Sequence, residues 1–129
     1  MSLHQPDRAS FEVMARDHSV VPVWRWILAD LLTPVGAFLR LDPRGDGFLL
    51  ESVEGGERWA RYSFLGGDAF GVVKAKDGRL DVGGVVPVLP EAEEGPLRYV
   101  KRLLGAYSSP PISDLPPLHG GAVGYIGYD

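Results

Sequence analysis

Glycine and proline interrupt this chain at short intervals, and this feature limits the possible fold more than any other. The 129 residues include 17 Gly and 11 Pro, and both residue types favour turns and end regular elements. Long helices are therefore excluded. We predict one α+β domain of short elements, with more strand than helix, and a chain of this length can bury about two-thirds of its unfolded surface.

Charge and residue usage exclude several classes of partner. The net charge is −4 and there is no cysteine, so disulfides and thiolate metal sites are impossible. Arg98, Lys101 and Arg102 have the spacing of one solvated helix face, whereas nucleic acid needs a broader basic patch. The first residues lack the apolar core of a signal peptide, and no apolar stretch approaches the ~20 residues that span a bilayer. We expect a cytoplasmic protein with no nucleic-acid or membrane partner.

Apolar spacing predicts three helices. The first covers Ser10–Asp17, with Ser10 as its N-cap. The second lies within residues 21–33 and stops at Thr33-Pro34; its apolar stripe consists of Trp24, Ile27, Leu28, Leu31 and Leu32. The third covers Pro96–Ala106 and ends at Gly105; its stripe consists of Leu97, Val100, Leu103 and Leu104.

Alternation and turn residues predict two hairpins and one further strand. Val35–Leu41 and Phe48–Val53 flank a turn-rich segment and predict the first hairpin. Arg58–Leu65 alternates and reads as a strand with Arg61 and Ser63 on one face. Ala69–Val82 predicts the second hairpin, because Asp77-Gly78 suits a tight turn. Together with the helices, these elements predict a buried set of Trp24, Leu28, Leu31, Val53, Tyr62, Phe64, Val100 and Leu104.

The last part of the chain combines an irregular connector with an apolar segment. Ser108–Leu118 is rich in proline and predicts no regular structure. Residues 118–129 contain Ala122, Val123, Tyr125 and Ile126, a strand pattern that is apolar on both faces and typical of the inside of a sheet. We therefore expect an incomplete core strand whose neighbours come from further sequence.

Three features that could suggest catalysis have simpler interpretations. His4, His18 and His119 pair with no nucleophile at recognisable spacing. The acidic loop around Glu91–Glu94 lacks converging oxygen ligands and is interpreted as solvated. The glycines of residues 120–127 match no phosphate-binding fingerprint, so they indicate close backbone packing. No residue is assigned a catalytic role.

One polar cluster does suggest a ligand. Glu51 and Ser52 follow an apolar strand, while Arg61 and Ser63 share a face of the next one. If the two strands lie together, the carboxylate, the hydroxyls and the guanidinium could hold a small zwitterion, since Arg binds carboxylates bidentately. The alternative is an Arg–Glu surface pair on a sheet.

Three stretches together resemble one enzyme family. They are VPVWRWILADLLTPVGAFLRL at residues 21–41, FLLESVEGGERWARYSFLG at residues 48–66 and GGAVGYIGYD at residues 120–129. In this order, and with these separations, they are similar to anthranilate synthase component I. The resemblance implies that residues 1–129 form its amino-terminal regulatory domain, an antiparallel-sheet-rich α+β portion of the two-layer fold of chorismate-utilising enzymes.

The resemblance also implies a reaction, a cofactor and partners. Members of this family convert chorismate and an amino donor to anthranilate and pyruvate, with Mg²⁺ beside the substrate and a glutamine amidotransferase subunit supplying ammonia. The groups that bind chorismate and Mg²⁺ belong to the carboxy-terminal portion of the family's polypeptide. We therefore expect the 129-residue chain to be inactive by itself.

A regulatory site is the remaining implication. In this family, part of the pocket for the feedback inhibitor L-tryptophan matches Leu50, Glu51, Ser52 and Arg61. Aminodeoxychorismate synthase component I is an alternative family with similar strands. A stand-alone module that binds amino acids or another protein is an alternative of a different class.

Overall fold

The computed structural model describes residues 4–41, 47–51 and 62–127. It contains three helices and two two-stranded antiparallel sheets, which confirms the α+β class. Among the described residues the helices hold more than the strands do, so the expected excess of strand is not found within these ranges. The chain divides into two compact units, one of residues 4–27 and 71–127 and the other of residues 28–70 where they are described.

The first helix, α1, spans Arg8–Asp17 and confirms the predicted element. Its N-cap is Asp7 and not Ser10, because the Asp7 carboxylate accepts a 2.8 Å hydrogen bond from the Ser10 backbone N–H. That N–H is one of the donors that a helix start leaves without a partner. The same bond holds the pKa of Asp7 below its usual value.

The predicted second helix and the strand after it are both wrong. Residues 21–33 form no helix, and helix α2 instead spans Pro34–Leu41. Thr33 caps α2, since its Oγ1 accepts from the Gly36 N–H at 3.1 Å. Pro34 occupies the first helical position, where the missing N–H costs nothing. Thr33-Pro34 was predicted to end a helix, whereas in the structure this pair begins one.

Strands β1, Phe48–Glu51, and β2, Ser63–Gly66, form the first sheet and lie beside α2 in the second unit. The predicted hairpin between residues 35–41 and 48–53 is wrong, because β1 pairs with β2. Its antiparallel register aligns Leu49 with Leu65. The Glu51 strand and the Ser63 strand therefore lie together, which is the condition on which the predicted polar cluster depends.

The second sheet is the predicted hairpin. Strands β3, Gly71–Lys76, and β4, Arg79–Gly84, pair around Asp77-Gly78. Both turn residues have positive φ, +52° and +73°, as a tight turn of this hand requires. Turn chemistry read from two residues therefore located the hairpin correctly.

Helix α3, Pro96–Gly105, confirms the third predicted helix. After it, the Ser19 and Ser108 segments are joined by several hydrogen bonds, among them Ser108 N–H to Ser19 Oγ at 2.9 Å and Val20 N–H to the Ser108 carbonyl at 3.0 Å. The Pro-rich residues that follow have no regular structure, as predicted. Residues 119–127 also form no strand, and Tyr125 and Ile126 are exposed. No described residue supplies a hydrogen-bonded neighbour for this segment, so the expectation of a core strand completed by further sequence stays a prediction.

Most of the predicted core is not buried. Leu28, Leu31, Tyr62 and Leu104 are exposed, and Trp24, Phe64 and Val100 are half-buried; Val53 lies outside the described residues. Within the described part of the chain, the fully buried large apolar side chain is Tyr99 of α3. The sequence predicted that the leucine stripe of α3 is its buried face, whereas the buried side chain of this helix is Tyr99.

Candidate functional site

The end of the β1–β2 ladder holds the described residues of the predicted ligand site. Glu51 lies directly opposite Ser63, and Leu50 lies opposite Phe64. In an antiparallel pair, opposed side chains point to the same face, with Cβ atoms about 4.5–5.5 Å apart. The structure therefore brings together the carboxylate and one hydroxyl of the predicted polar cluster.

Leu50 and Glu51 lie on opposite faces of this sheet, because successive strand residues alternate. Both are exposed, and Leu50 retains 44% of its accessible surface. Glu51 forms no ion pair with another described residue. Ser52 and Arg61, the other two predicted residues, lie outside the described residues. The described part of the site thus has an apolar face and a polar face.

The apolar face is built from aromatic residues. The Phe48 ring lies over Gly66, where an added Cβ would come within 2.5 Å of its Cε1 atom. The rings of Tyr62 and Phe64 contact each other, with centroids 5.8 Å apart and planes tilted by 35°. This geometry falls within the favoured range for aromatic pairs.

A second polar cluster, on α3 and the loop before it, was not predicted. Arg102 donates to both carboxylate oxygens of Glu94, at 3.0 and 2.7 Å, and to the Leu89 carbonyl at 2.6 Å. The Glu94 side chain is only 1% exposed. Hydrogen bonding to Arg102 and to the Glu91 N–H lowers the pKa of Glu94 to about 2. The acidic loop was predicted to be solvated, and so was the basic face of the helix. Both predictions are wrong at these two residues, because Glu94 is buried and Arg102 is paired with it.

The same cluster includes Tyr99. Its hydroxyl donates to the Val88 carbonyl at 2.8 Å, and the Arg102 guanidinium lies 5.7 Å from its ring centre. Every partner belongs to α3 or to the loop before it, and the Glu94 carboxylate already accepts three hydrogen bonds. We infer that this cluster has a structural role, which is to attach the loop to α3. An acidic residue eight positions before an arginine was the available sequence signal, but this spacing is not specific.

Neither cluster is a metal site. Among the residues that the structure describes, no group of three or more His, Asp or Glu side chains is placed to hold a metal ion. His119 directs Nδ1 to the Pro116 carbonyl at 2.9 Å, which is a local turn contact. These residues do not fit a bound Mg²⁺, and we derive no magnesium-dependent step from them. No helix within the described ranges is long and apolar enough to cross a membrane.

Nearly the whole chain is similar to one component of a biosynthetic enzyme. It is 38% identical to "Anthranilate synthase component 1" of Acetivibrio thermocellus over 124 residues, which are 96% of this chain and 25% of that protein. The protein of the same name from Mycobacterium bovis is 39% identical over 126 residues, or 95% of this chain and 24% of its own length. That of Neisseria meningitidis serogroup B is 36% identical over 115 residues, or 89% and 23%.

Similarity over nearly the whole chain indicates common ancestry with these proteins. The chain belongs to the anthranilate synthase component 1 family, and it spans about a quarter of the length of the curated relatives that it matches. No family model matches the chain, and no solved structure matches it significantly.

Proposed function

We propose that this chain is the regulatory part of an anthranilate synthase large subunit, which forms anthranilate and pyruvate from chorismate in tryptophan biosynthesis. The identity to proteins of this name over nearly the whole chain supports the proposal. Those proteins are about four times as long, so the catalytic groups and the Mg²⁺ ligands are assigned to sequence outside these 129 residues. Ammonia would come from a glutamine amidotransferase subunit, as the family resemblance implies.

The regulatory role is the binding of L-tryptophan by Leu50, Glu51, Ser52 and Arg61. One observation supports it most: β1 and β2 pair so that Glu51 lies opposite Ser63. This pairing brings the strand that ends in Leu50-Glu51 beside the strand that begins two residues after Arg61. An amino acid needs acceptors for its ammonium group and donors for its carboxylate, and these side chains supply both.

Inhibition would work through a shift between conformations. A ligand changes an equilibrium only by its difference in affinity for the two states. Tryptophan would therefore bind the inactive state of the large subunit more tightly than the active one. Glu51 suits such a site because it is exposed and not engaged in an ion pair with any described residue.

The test uses the full-length protein that carries this chain. It is supplied with chorismate, Mg²⁺ and ammonia, and anthranilate is followed by its fluorescence while L-tryptophan is titrated. We expect anthranilate formation that tryptophan suppresses, and a Glu51→Gln variant with the same uninhibited rate that needs more tryptophan. Formation of a different product would reject the family activity, and unchanged inhibition of Glu51→Gln would reject its place in the site.

A further inference from the structure

The tip of the β3–β4 hairpin places an aspartate directly before a glycine in an open position. Asp77 and Gly78 are both exposed and form the turn between the opposed residues Lys76 and Arg79. Among the residues that the structure describes, none forms an ion pair with the Asp77 carboxylate, and the Gly78 N–H donates to none of their carbonyls. Nothing lies within 4 Å of the position that a Cβ of Gly78 would occupy. The carboxyl group and the amide that follows it are therefore both accessible.

These two groups can react with each other. The Gly78 nitrogen attacks Cγ of Asp77, the new N–C bond closes a five-membered succinimide ring, and the side-chain hydroxyl and the amide proton leave as one water. Water then opens the ring at either carbonyl. Opening at the side-chain carbonyl restores aspartate, whereas opening at the main-chain carbonyl gives isoaspartate, in which the backbone runs through the side chain. One water is released and one is consumed, so the conversion needs no oxidant, reductant or other reactant.

We propose that Asp77 is a modification site at which isoaspartate forms spontaneously. A side chain on the residue that follows hinders attack by its nitrogen, and glycine has none. Every other described aspartate precedes a residue with a side chain, as Asp81 precedes Val82. Asp46-Gly47 is a second pair of this kind, but Asp46 lies outside the described residues. The proposal is independent of the tryptophan site, whose residues belong to the other unit.

The fold of the turn controls this reaction and is changed by it. Asp77 has φ +52° and Gly78 has φ +73°, as in the tight turn that joins two antiparallel strands. The ring holds the Asp77 backbone in a different conformation, so ring closure requires local opening of the hairpin tip. Isoaspartate then adds one carbon to the backbone of the turn. The two-residue connection between Lys76 and Arg79 is thereby lengthened, and the end of the hairpin should loosen.

The test is ageing of the full-length protein that carries this chain, at neutral pH and physiological temperature. An isoaspartyl methyltransferase with labelled S-adenosylmethionine counts isoaspartate, and peptide mapping assigns the label to residue 77 or residue 46. Asp77→Glu removes the reaction, because its ring would have six members and closes far more slowly. The matched control is Asp81→Glu, the same change at the exposed carboxylate of β4. A peptide of residues 71–84 is the unfolded reference, since an isolated hairpin is marginally stable at best.

We expect label at residue 77 to increase with ageing in the wild type and in Asp81→Glu, and to be lost in Asp77→Glu. A succinimide, lighter by one water, should appear at the same position before isoaspartate does. The full-length protein should convert more slowly than the peptide, because the folded turn must open first. If the peptide converts and residue 77 of the aged protein does not, or if Asp77→Glu keeps the label at this position, the proposal is overturned.

Discussion

The Arg102 guanidinium and the Glu94 carboxylate are joined side by side, Nε to Oε1 at 3.0 Å and Nη2 to Oε2 at 2.7 Å. Such paired, charge-assisted bonds fix orientation as well as distance. They connect α3 to the loop that precedes it, and they lower the pKa of Glu94 from its usual 4.5 to about 2.

This pKa predicts how acid affects α3. Because the folded-state pKa is lowered, the stabilisation by Glu94 is fully present above about pH 4.5 and is lost as the pH falls towards 2. The protection of the α3 amides against hydrogen exchange, measured relative to an unstructured peptide at the same pH, should therefore fall across this window. Glu94→Gln should show faster exchange already at pH 6 and a weaker acid response. Glu93→Gln, the exposed neighbouring carboxylate, should behave like wild type, and an equal effect there would contradict the assignment.

Tyr99 predicts a graded loss of stability. Tyr99→Phe removes the 2.8 Å bond to the Val88 carbonyl and should lower the free energy of unfolding by about 0.5–1.5 kcal/mol. Tyr99→Ala also leaves a cavity, and should cost roughly 3–5 kcal/mol, as for other large buried aromatic residues. Denaturant unfolding measures both. Tyr125→Phe is the control because Tyr125 is 96% exposed; a matching loss there would remove the hydrogen bond as the cause.

The β3–β4 turn predicts opposite effects of two glycine substitutions. Gly78 has φ +73°, so Gly78→Ala should destabilise the hairpin by roughly 1–2 kcal/mol. Gly83 has ordinary φ and open space where a Cβ would lie. Gly83→Ala should therefore be neutral or stabilising by up to about 1 kcal/mol. Thermal unfolding of both variants checks the difference, and equal effects would show that backbone conformation is not the cause.

Ser52 gives the most direct prediction for the regulatory site. Loss of a hydrogen bond to a charged group costs ~1.5–3 kcal/mol, so Ser52→Ala in the full-length enzyme should weaken tryptophan inhibition roughly ten- to a hundredfold. Ser52→Phe should weaken it further by filling the pocket. Inhibition curves and uninhibited rates measure the two effects separately. A matching fall in the uninhibited rate would instead assign Ser52 to the fold or the active site.

The isolated chain should be inactive. We expect no anthranilate fluorescence when the purified 129-residue chain is mixed with chorismate, ammonia and Mg²⁺, since no group of its described residues is placed to hold a metal ion and the sequence assigns no residue a catalytic role. The full-length enzyme under the same conditions is the positive control. Product formed by the isolated chain would refute the division of roles between regulation and catalysis.

Turn and capping residues in the sequence correctly predicted the β3–β4 hairpin and helix α3. Asp77-Gly78 located its hairpin because few residues adopt positive φ, and Pro96 with Gly105 bounded α3 correctly. Asp7 was missed as a cap because Asp and Ser are both favoured N-cap residues, and apolar spacing does not fix the first helical residue closely enough to choose between Asp7 and Ser10. Thr33-Pro34 was misread because proline is compatible with either end of a helix.

Tertiary burial could not be predicted in the same way. The spacing of Trp24, Leu28 and Leu31 is helical, yet Leu28 and Leu31 are exposed and the segment is not a helix. Most helix stability comes from packing an apolar face, and periodicity does not identify the packing partner. The pairing of Glu51 with Ser63 was not predicted, because the Glu51 strand was expected to form a hairpin with residues 35–41; its adjacency to the Ser63 strand entered the sequence analysis only as a condition for the polar cluster. Strand alternation in the sequence places Leu50 and Ser52 on one face and therefore Glu51 on the other; the register that sets Leu50 opposite Phe64 came only from the structure.

The hydrogen bonds between Ser19 and Ser108 also bear on how the chain folds during synthesis. The two residues are 89 positions apart, and the whole second unit lies between them in sequence. At translation rates of about 5–20 residues per second, roughly 4–18 s pass between the synthesis of the two serines. Residues 28–70, which form the second unit, are synthesised within that interval. The second unit can therefore fold before the first unit, because residues 71–127 of the first unit are made later.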